Sequence, residues 1–174
     1  HGWQYLSEGN TIELFEGVRR DIELLSLASY FAELTEAAAL EDVESGAILS
    51  LLLNALYALG NLKKDQALVK AAFELKLMSL IGFEPLADIR EGVVCCRKCG
   101  KGERGLSMPL SSGALAALRR VLYGEAKRLY SFSLAETDLK KLGDAGEAYV
   151  HTMLERGFGT LDFYKGLHIS EAVE

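Results

Sequence analysis

The chain has 174 residues, 49% of them hydrophobic, only two prolines and a net charge of −6. That composition excludes a disordered segment, and the acidic balance excludes a protein that is strongly basic as a whole. The longest apolar run, residues 48–59, is interrupted by Ser50 and Asn54 and is too short to span a bilayer, so a core helix is expected there and no membrane partner.

The first ten residues, HGWQYLSEGN, set Trp3, Tyr5 and Leu6 in rough alternation before a Gly-Asn turn, and read as the tail of a strand or an extended lead-in. Helical periodicity begins near Thr11 and continues to about Leu40. Leu14, Val18, Ile22 and Leu25 form its first apolar stripe, Tyr30, Phe31 and Leu34 extend the face, and Gly17 is a candidate break. An acidic loop with Glu41, Asp42 and Glu44 follows, then the helix of residues 48–59, ended by Gly60-Asn61, and a linker carrying Lys63 and Lys64.

Residues 65–85 are the segment around which the others must pack. Asp65 is placed to cap a helix in which Leu68, Ala72, Leu75 and Ser79 form one stripe and Val69, Phe73, Leu77 and Leu80 the next, so much of its circumference is apolar. Lys70, Glu74 and Lys76 are its polar remainder, with Lys70 and Glu74 four apart on an edge expected to face solvent. Gly82 and Pro85 stop it.

Residues 84–111 hold too many glycines for a helix, and Val93, Val94 and Cys95 suggest a short strand. Helix resumes after Ser111-Ser112 through Leu115, Leu118 and Leu122, with Arg119, Arg120, Lys127 and Arg128 on the remaining surface. A last helix is expected over residues 137–156, with Leu142, Gly146, Tyr149 and Met153 on one stripe, stopped by Gly157 and Gly159, and the aromatic tail LDFYKGL docks back on the body. The fold class that follows is mainly α, a helical bundle with a small cysteine-containing irregular or β insertion.

Three cysteines, Cys95, Cys96 and Cys99, are too few and too local for a secreted disulfide framework and point to a reducing compartment, the cytoplasm. Cys96 and Cys99 have the C-x-x-C spacing of half a tetrahedral Zn2+ site, and His151 and His168 lie far along the chain. The same pair, beside Arg97 and Lys98, could instead be a redox dithiol with lowered thiol pKa. GKGERG at residues 100–105 matches a dinucleotide-binding pattern, but no helix opens directly after it, so a glycine loop is the better account. No Ser/His/Asp or Cys/His set stands out, and an enzyme is not expected. Charge is distributed unevenly: residues 90–128 carry nine basic and three acidic side chains, a balance of +6 against −12 elsewhere.

Six segments in order, ASYFAELTEA (28–37), LLLNALYAL (51–59), AFELKLMSLIGFEP (72–85), REGVVCCRKC (90–99), LSSGALAALR (110–119) and LERGFGTLDFYKGL (154–167), give a chain that resembles the bacterial RecO family of DNA-repair proteins. The resemblance implies a recombination mediator: an N-terminal OB-fold, of which residues 1–10 would be a remnant, then a helical domain in two parts, residues 11–83 and 112–174, with a zinc-ribbon-like insertion at 84–111. It also implies binding of single- and double-stranded DNA, association with RecR, recognition of the tail of single-stranded DNA-binding protein, strand annealing and RecA loading, on or near the nucleoid. The family's zinc-bearing members have two C-x-x-C pairs; here PLADI stands where the first would be, so only Cys96 and Cys99 match.

An acidic tail ending in phenylalanine needs an apolar groove rimmed by cations. Lys63, Lys64, Lys70 and Lys76 are the expected rim. DNA phosphates would be met by Arg97, Lys98, Lys101, Arg104, Arg119, Arg120, Lys127 and Arg128. A helical adaptor with no nucleic-acid role is the alternative.

Overall fold

In the computed structural model, residues 5, 7–39, 45–88, 93–96 and 108–171 are described, with 86–88, 93–96, 127 and 168–171 described by backbone alone. Among the described residues the helices are α1 (Glu16–Arg19), α2 (Ile22–Ala38), α3 (Gly46–Gly60), α4 (Gln66–Leu80), α5 (Ser112–Tyr123), α6 (Glu136–Leu154) and α7 (Gly159–Glu171), with a 3-10 turn at Ala126–Arg128. Between α4 and α5 lie three short strands, β1 (Pro85–Asp88), β2 (Val93–Cys96) and β3 (Met108–Pro109), in an antiparallel sheet of order β1-β2-β3. The expected class, a helical bundle with a small β insertion around the cysteines, is the class observed.

Helix α4 is the centre. The Asp65 carboxylate caps it by accepting from the Leu68 amide at 3.0 Å, and the chain turns away after Ile81. Leu68, Val69, Ala71, Ala72, Phe73, Leu75, Leu77 and Met78 are all buried, because α2, α3, α5 and α6 pack around it. Phe73 stacks on Phe31 of α2 with ring centroids 4.2 Å apart, and Tyr30 meets Phe158 edge-on at 5.6 Å. Ring pairs of this kind add about 0.5–1.5 kcal/mol to the area they bury.

Several expectations are corrected. The N-terminal periodicity does not mark one buried face: Val18 is buried, whereas Leu14, Ile22 and Leu25 are exposed. The chain turns between Arg19 and Ile22, where Asp21 accepts from the Glu23 and Leu24 amides and starts a new helix, so residues before and after it do not share a face. The inward face of α2 is Leu27, Tyr30, Phe31, Leu34 and Ala38. Gly17 is not the break; a Cβ there would sit 2.4 Å from the Gly60 carbonyl oxygen, so it lets the α1 backbone cross the end of α3. Gly159 does not end the helical region but opens α7, which carries the aromatic tail back onto α2 as expected. Of the first ten residues, Tyr5 and residues 7–10 are exposed and form neither helix nor strand, and Trp3 and Leu6 lie outside the described residues.

Candidate functional site

The Lys70–Glu74 pair is made, but in the interior rather than on a solvent-facing edge: Lys70 is 8% and Glu74 0% exposed. Helix α6 covers that side of α4 and approaches closely at Gly146, where a Cβ would stand 2.9 Å from Glu74 Oε2. Lys70 Nζ lies 2.8 Å from Glu74 Oε1 and 3.0 Å from Glu147 Oε2, and the Tyr30 hydroxyl donates to Glu74 Oε1 at 2.7 Å. Lys165 of α7 donates to the other oxygen of Glu147. One polar chain thus ties α2, α4, α6 and α7 together.

Burial pushes the Glu74 carboxyl up from its ordinary range, against Lys70 and the Tyr30 hydroxyl, which pull it down. Burial works against the Lys70 ammonium too, but Glu74 and Glu147 outweigh it and hold its pKa above the ordinary value. Glu147 is likewise opposed by burial, yet Lys165 and Lys70 hold its pKa below the usual range. Burial, then Glu74, keeps the Tyr30 phenol protonated and therefore a donor. Lys70 is engaged by Glu74 and Glu147, so it is a clamp inside the bundle and not part of a surface rim, while Glu74 Oε2 has no hydrogen-bond partner among the described residues. Lys76 is half-buried and donates to the Leu122 carbonyl at 2.7 Å, where it caps the end of α5.

The groove that the sequence could not locate lies at the C-terminal end of α3. Asn54, Tyr57 and Ala58 of that helix, Leu62 and Lys64 of the linker, and Ala126, Tyr130 and Ser131 after α5 enclose about 440 Å³. Linker geometry sets its floor: the amides of Asn61 and Leu62 both return to the Tyr57 carbonyl, and that of Lys64 to Ala58. Lys63, with φ of 48°, turns outward into solvent, while Lys64 stays half-buried in the wall. Tyr57 and Leu62 are 46% and 52% exposed, so the apolar lining is open to a partner. Arg120 reaches the opposite wall by donating to Ser131 Oγ at 3.2 Å, with its guanidinium 5.2 Å from the Phe132 ring. Arg128 is exposed next to it and pairs loosely with Glu125 at 3.6 Å, a contact worth little in solvent. The Tyr130 hydroxyl, in the wall, has no hydrogen-bond partner among the described residues.

Of the expected tail-binding residues, the structure brings Lys64 to the lining of this groove, while Lys63 is exposed and does not line it. Of the expected DNA-contacting residues, Arg119, Arg120 and Arg128 are exposed. Arg97, Lys98, Lys101 and Arg104 lie outside the described residues, as does the side chain of Lys127. The periodicity of the linker and of the turn after α5 gave no sign of the groove, because its walls meet only through tertiary packing.

Cys99 and the GKGERG loop also lie outside the described residues. The backbone of β2 pairs with β1 so that Pro85 stands opposite Cys96 and Leu86 opposite Cys95. The strand facing the knuckle supplies no thiol or imidazole, and the described residues do not assemble the four donors that structural zinc takes. No helix among the described residues is long and apolar enough to cross a membrane.

The sequence profile of the family described as "Recombination protein O C terminal" matches residues 19–162. The chain belongs to the RecO family. The family match spans α2 through α6 and with them both the buried clamp and the groove. A protein named DNA repair protein RecO from Acetivibrio thermocellus is 29% identical in an alignment that covers 91% of this chain and 69% of that one. Its namesake from Symbiobacterium thermophilum is also 29% identical, covering 91% and 70%. That from Desulfatibacillum aliphaticivorans reaches 33% over a shorter stretch, 66% of this chain and 44% of its own length. No solved structure matches the chain.

Proposed function

We propose that the chain acts without catalysis in recombinational DNA repair, as a module that receives an acidic, phenylalanine-ended tail of single-stranded DNA-binding protein and holds DNA and RecR beside it for annealing and RecA loading. The observation that carries this reading is the groove below α3: an open apolar lining of Tyr57, Ala58 and Leu62 with Lys64 in its wall and Arg120 on the far side. A carboxylate tail gains from those cations, and an aromatic side chain fits the apolar lining. DNA contacts fall to the adjoining Arg119, Arg120 and Arg128, which can meet phosphates without reading sequence.

The test is fluorescence anisotropy with a labelled peptide of that tail and a second peptide lacking the terminal phenylalanine. Binding of the first alone supports the reading. Equal binding of both, or of neither, removes the groove from it.

A further inference from the structure

The two walls of the groove differ in charge. Helix α3 has no charged residue from Gly46 to Gly60, so Asn54, Tyr57 and Ala58 offer an entering ligand uncharged contacts alone. The opposite wall belongs to the segment 119–131, which carries Arg119, Arg120, Lys127 and Arg128 against Glu125, a balance of +3 in a chain of −6. An anion in the groove is therefore drawn to the end of α5, where DNA phosphates would also be drawn.

Arg120 is held against that wall. Its guanidinium donates to Ser131 Oγ at 3.2 Å and lies 5.2 Å from the Phe132 ring, while Ser131 donates its own hydrogen to the Arg128 carbonyl at 2.9 Å. With one amino group on Ser131, the guanidinium receives one carboxylate or one phosphate in the bidentate geometry that makes such contacts strong. A second anion brought to it would stand within a few ångströms of the first, inside the roughly 8 Å over which charge is felt at physiological salt.

We propose that the acidic tail and DNA exclude one another on this protein because both are held by Arg120. The inference rests on the proposed function and adds a regulation to it. The exclusion is reciprocal: the factor by which the tail weakens DNA binding is the factor by which DNA weakens binding of the tail. A chain brought to its place of action by the tail thus releases that tail as DNA engages the end of α5.

Fluorescence anisotropy of a labelled DNA duplex on the chain, titrated with unlabelled tail peptide, tests the proposal, and the peptide lacking phenylalanine controls for added charge. The intact tail should raise the apparent Kd of DNA in proportion to its concentration and without a plateau, about tenfold when it stands at about ten times its own Kd. The control peptide should leave that Kd near its starting value. Arg120→Ser should weaken both ligands and Arg120→Lys should recover part of each, with circular dichroism to check that the variants fold. The Kd of the tail, read without DNA, separates this inference from the reading beneath it: a tail that binds through its phenylalanine and leaves DNA affinity unchanged overturns the exclusion alone. A plateau at partial loss, an Arg120→Ser protein weakened toward one ligand only, or a chain that binds no DNA also overturns it. Equal binding of the two peptides, or of neither, removes the proposed function and this inference with it.

Discussion

The hydroxyl of Tyr30 donates to Glu74 across 2.7 Å, joining α2 to α4 between residues forty-four apart in sequence. Glu74 is fully buried, and its charge is matched by Lys70 one turn earlier, which is itself shared with Glu147 of α6. A buried ion pair gains little over an apolar packing, but a broken one leaves a charge with nothing to balance it.

Lys70→Met is therefore expected to cost about 3–5 kcal/mol, because Glu74 loses its counter-charge while remaining buried. Tyr30→Phe removes one hydrogen bond to a charged group and should cost about 1.5–3 kcal/mol. Urea unfolding measures both. A Lys70→Met protein as stable as the parent would contradict the clamp.

Helix α6 offers a matched pair of glycines. Gly146→Ala drives a methyl toward Glu74 Oε2, 2.9 Å away, and should destabilise by about 1–3 kcal/mol. Gly143→Ala, with nothing within 4 Å of its Cβ, should stabilise by about 0.5–1 kcal/mol. Thermal melts of the two variants should move in opposite directions; movement in the same direction would count against the close contact of α4 with α6.

Glu147 makes a prediction in pH. Its pKa is held below the ordinary value of 4.5 by Lys165 and Lys70, so the folded state binds fewer protons at this group than the unfolded chain does. The resulting stabilisation is present above about pH 4.5 and is lost as pH falls through the lower folded value. The stability gap between parent and Glu147→Gln should close in that acidic window, where the two lysines stay charged. A gap that is constant across it would show that Glu147 does not titrate with folding.

What the sequence disclosed, and what it did not, divides along a physical line. The Asp65 cap, the apolar circumference of α4 and the restart of helix after Ser111 are local features, and each is where periodicity and turn chemistry placed it. The chemistry of the lysines was not local. Lys70 and Glu74, spaced four apart, look the same in sequence whether solvent or α6 lies against them, and only the approach at Gly146 decides. The exposed Leu14, Ile22 and Leu25 misled for the same reason: they satisfy a helical period, but the turn at Asp21 divides it. The groove joins residues 54–64 to residues 126–131, which no short-range pattern connects.

DNA binding makes a separate prediction. Replacing Arg119 and Arg120 with serine should weaken binding of duplex DNA of any sequence, and reduce the slope of log affinity against log salt by roughly two, about one per lost phosphate contact. Arg119→Ser alone should account for half, since it leaves the Arg120–Ser131 contact in place. Filter binding at several salt concentrations checks this, and an unchanged slope would place the DNA contacts elsewhere.

The most direct test of the account is the affinity of the phenylalanine-ended tail peptide for two charge reversals, Lys64→Glu in the groove wall and Lys140→Glu on the exposed surface of α6. The account predicts that Lys64→Glu weakens binding by about tenfold or more, as expected for truncating a charge-assisted contact and adding repulsion, while Lys140→Glu leaves it near the parent value. Equal losses in the two variants, or none in Lys64→Glu, would contradict the assignment of the groove.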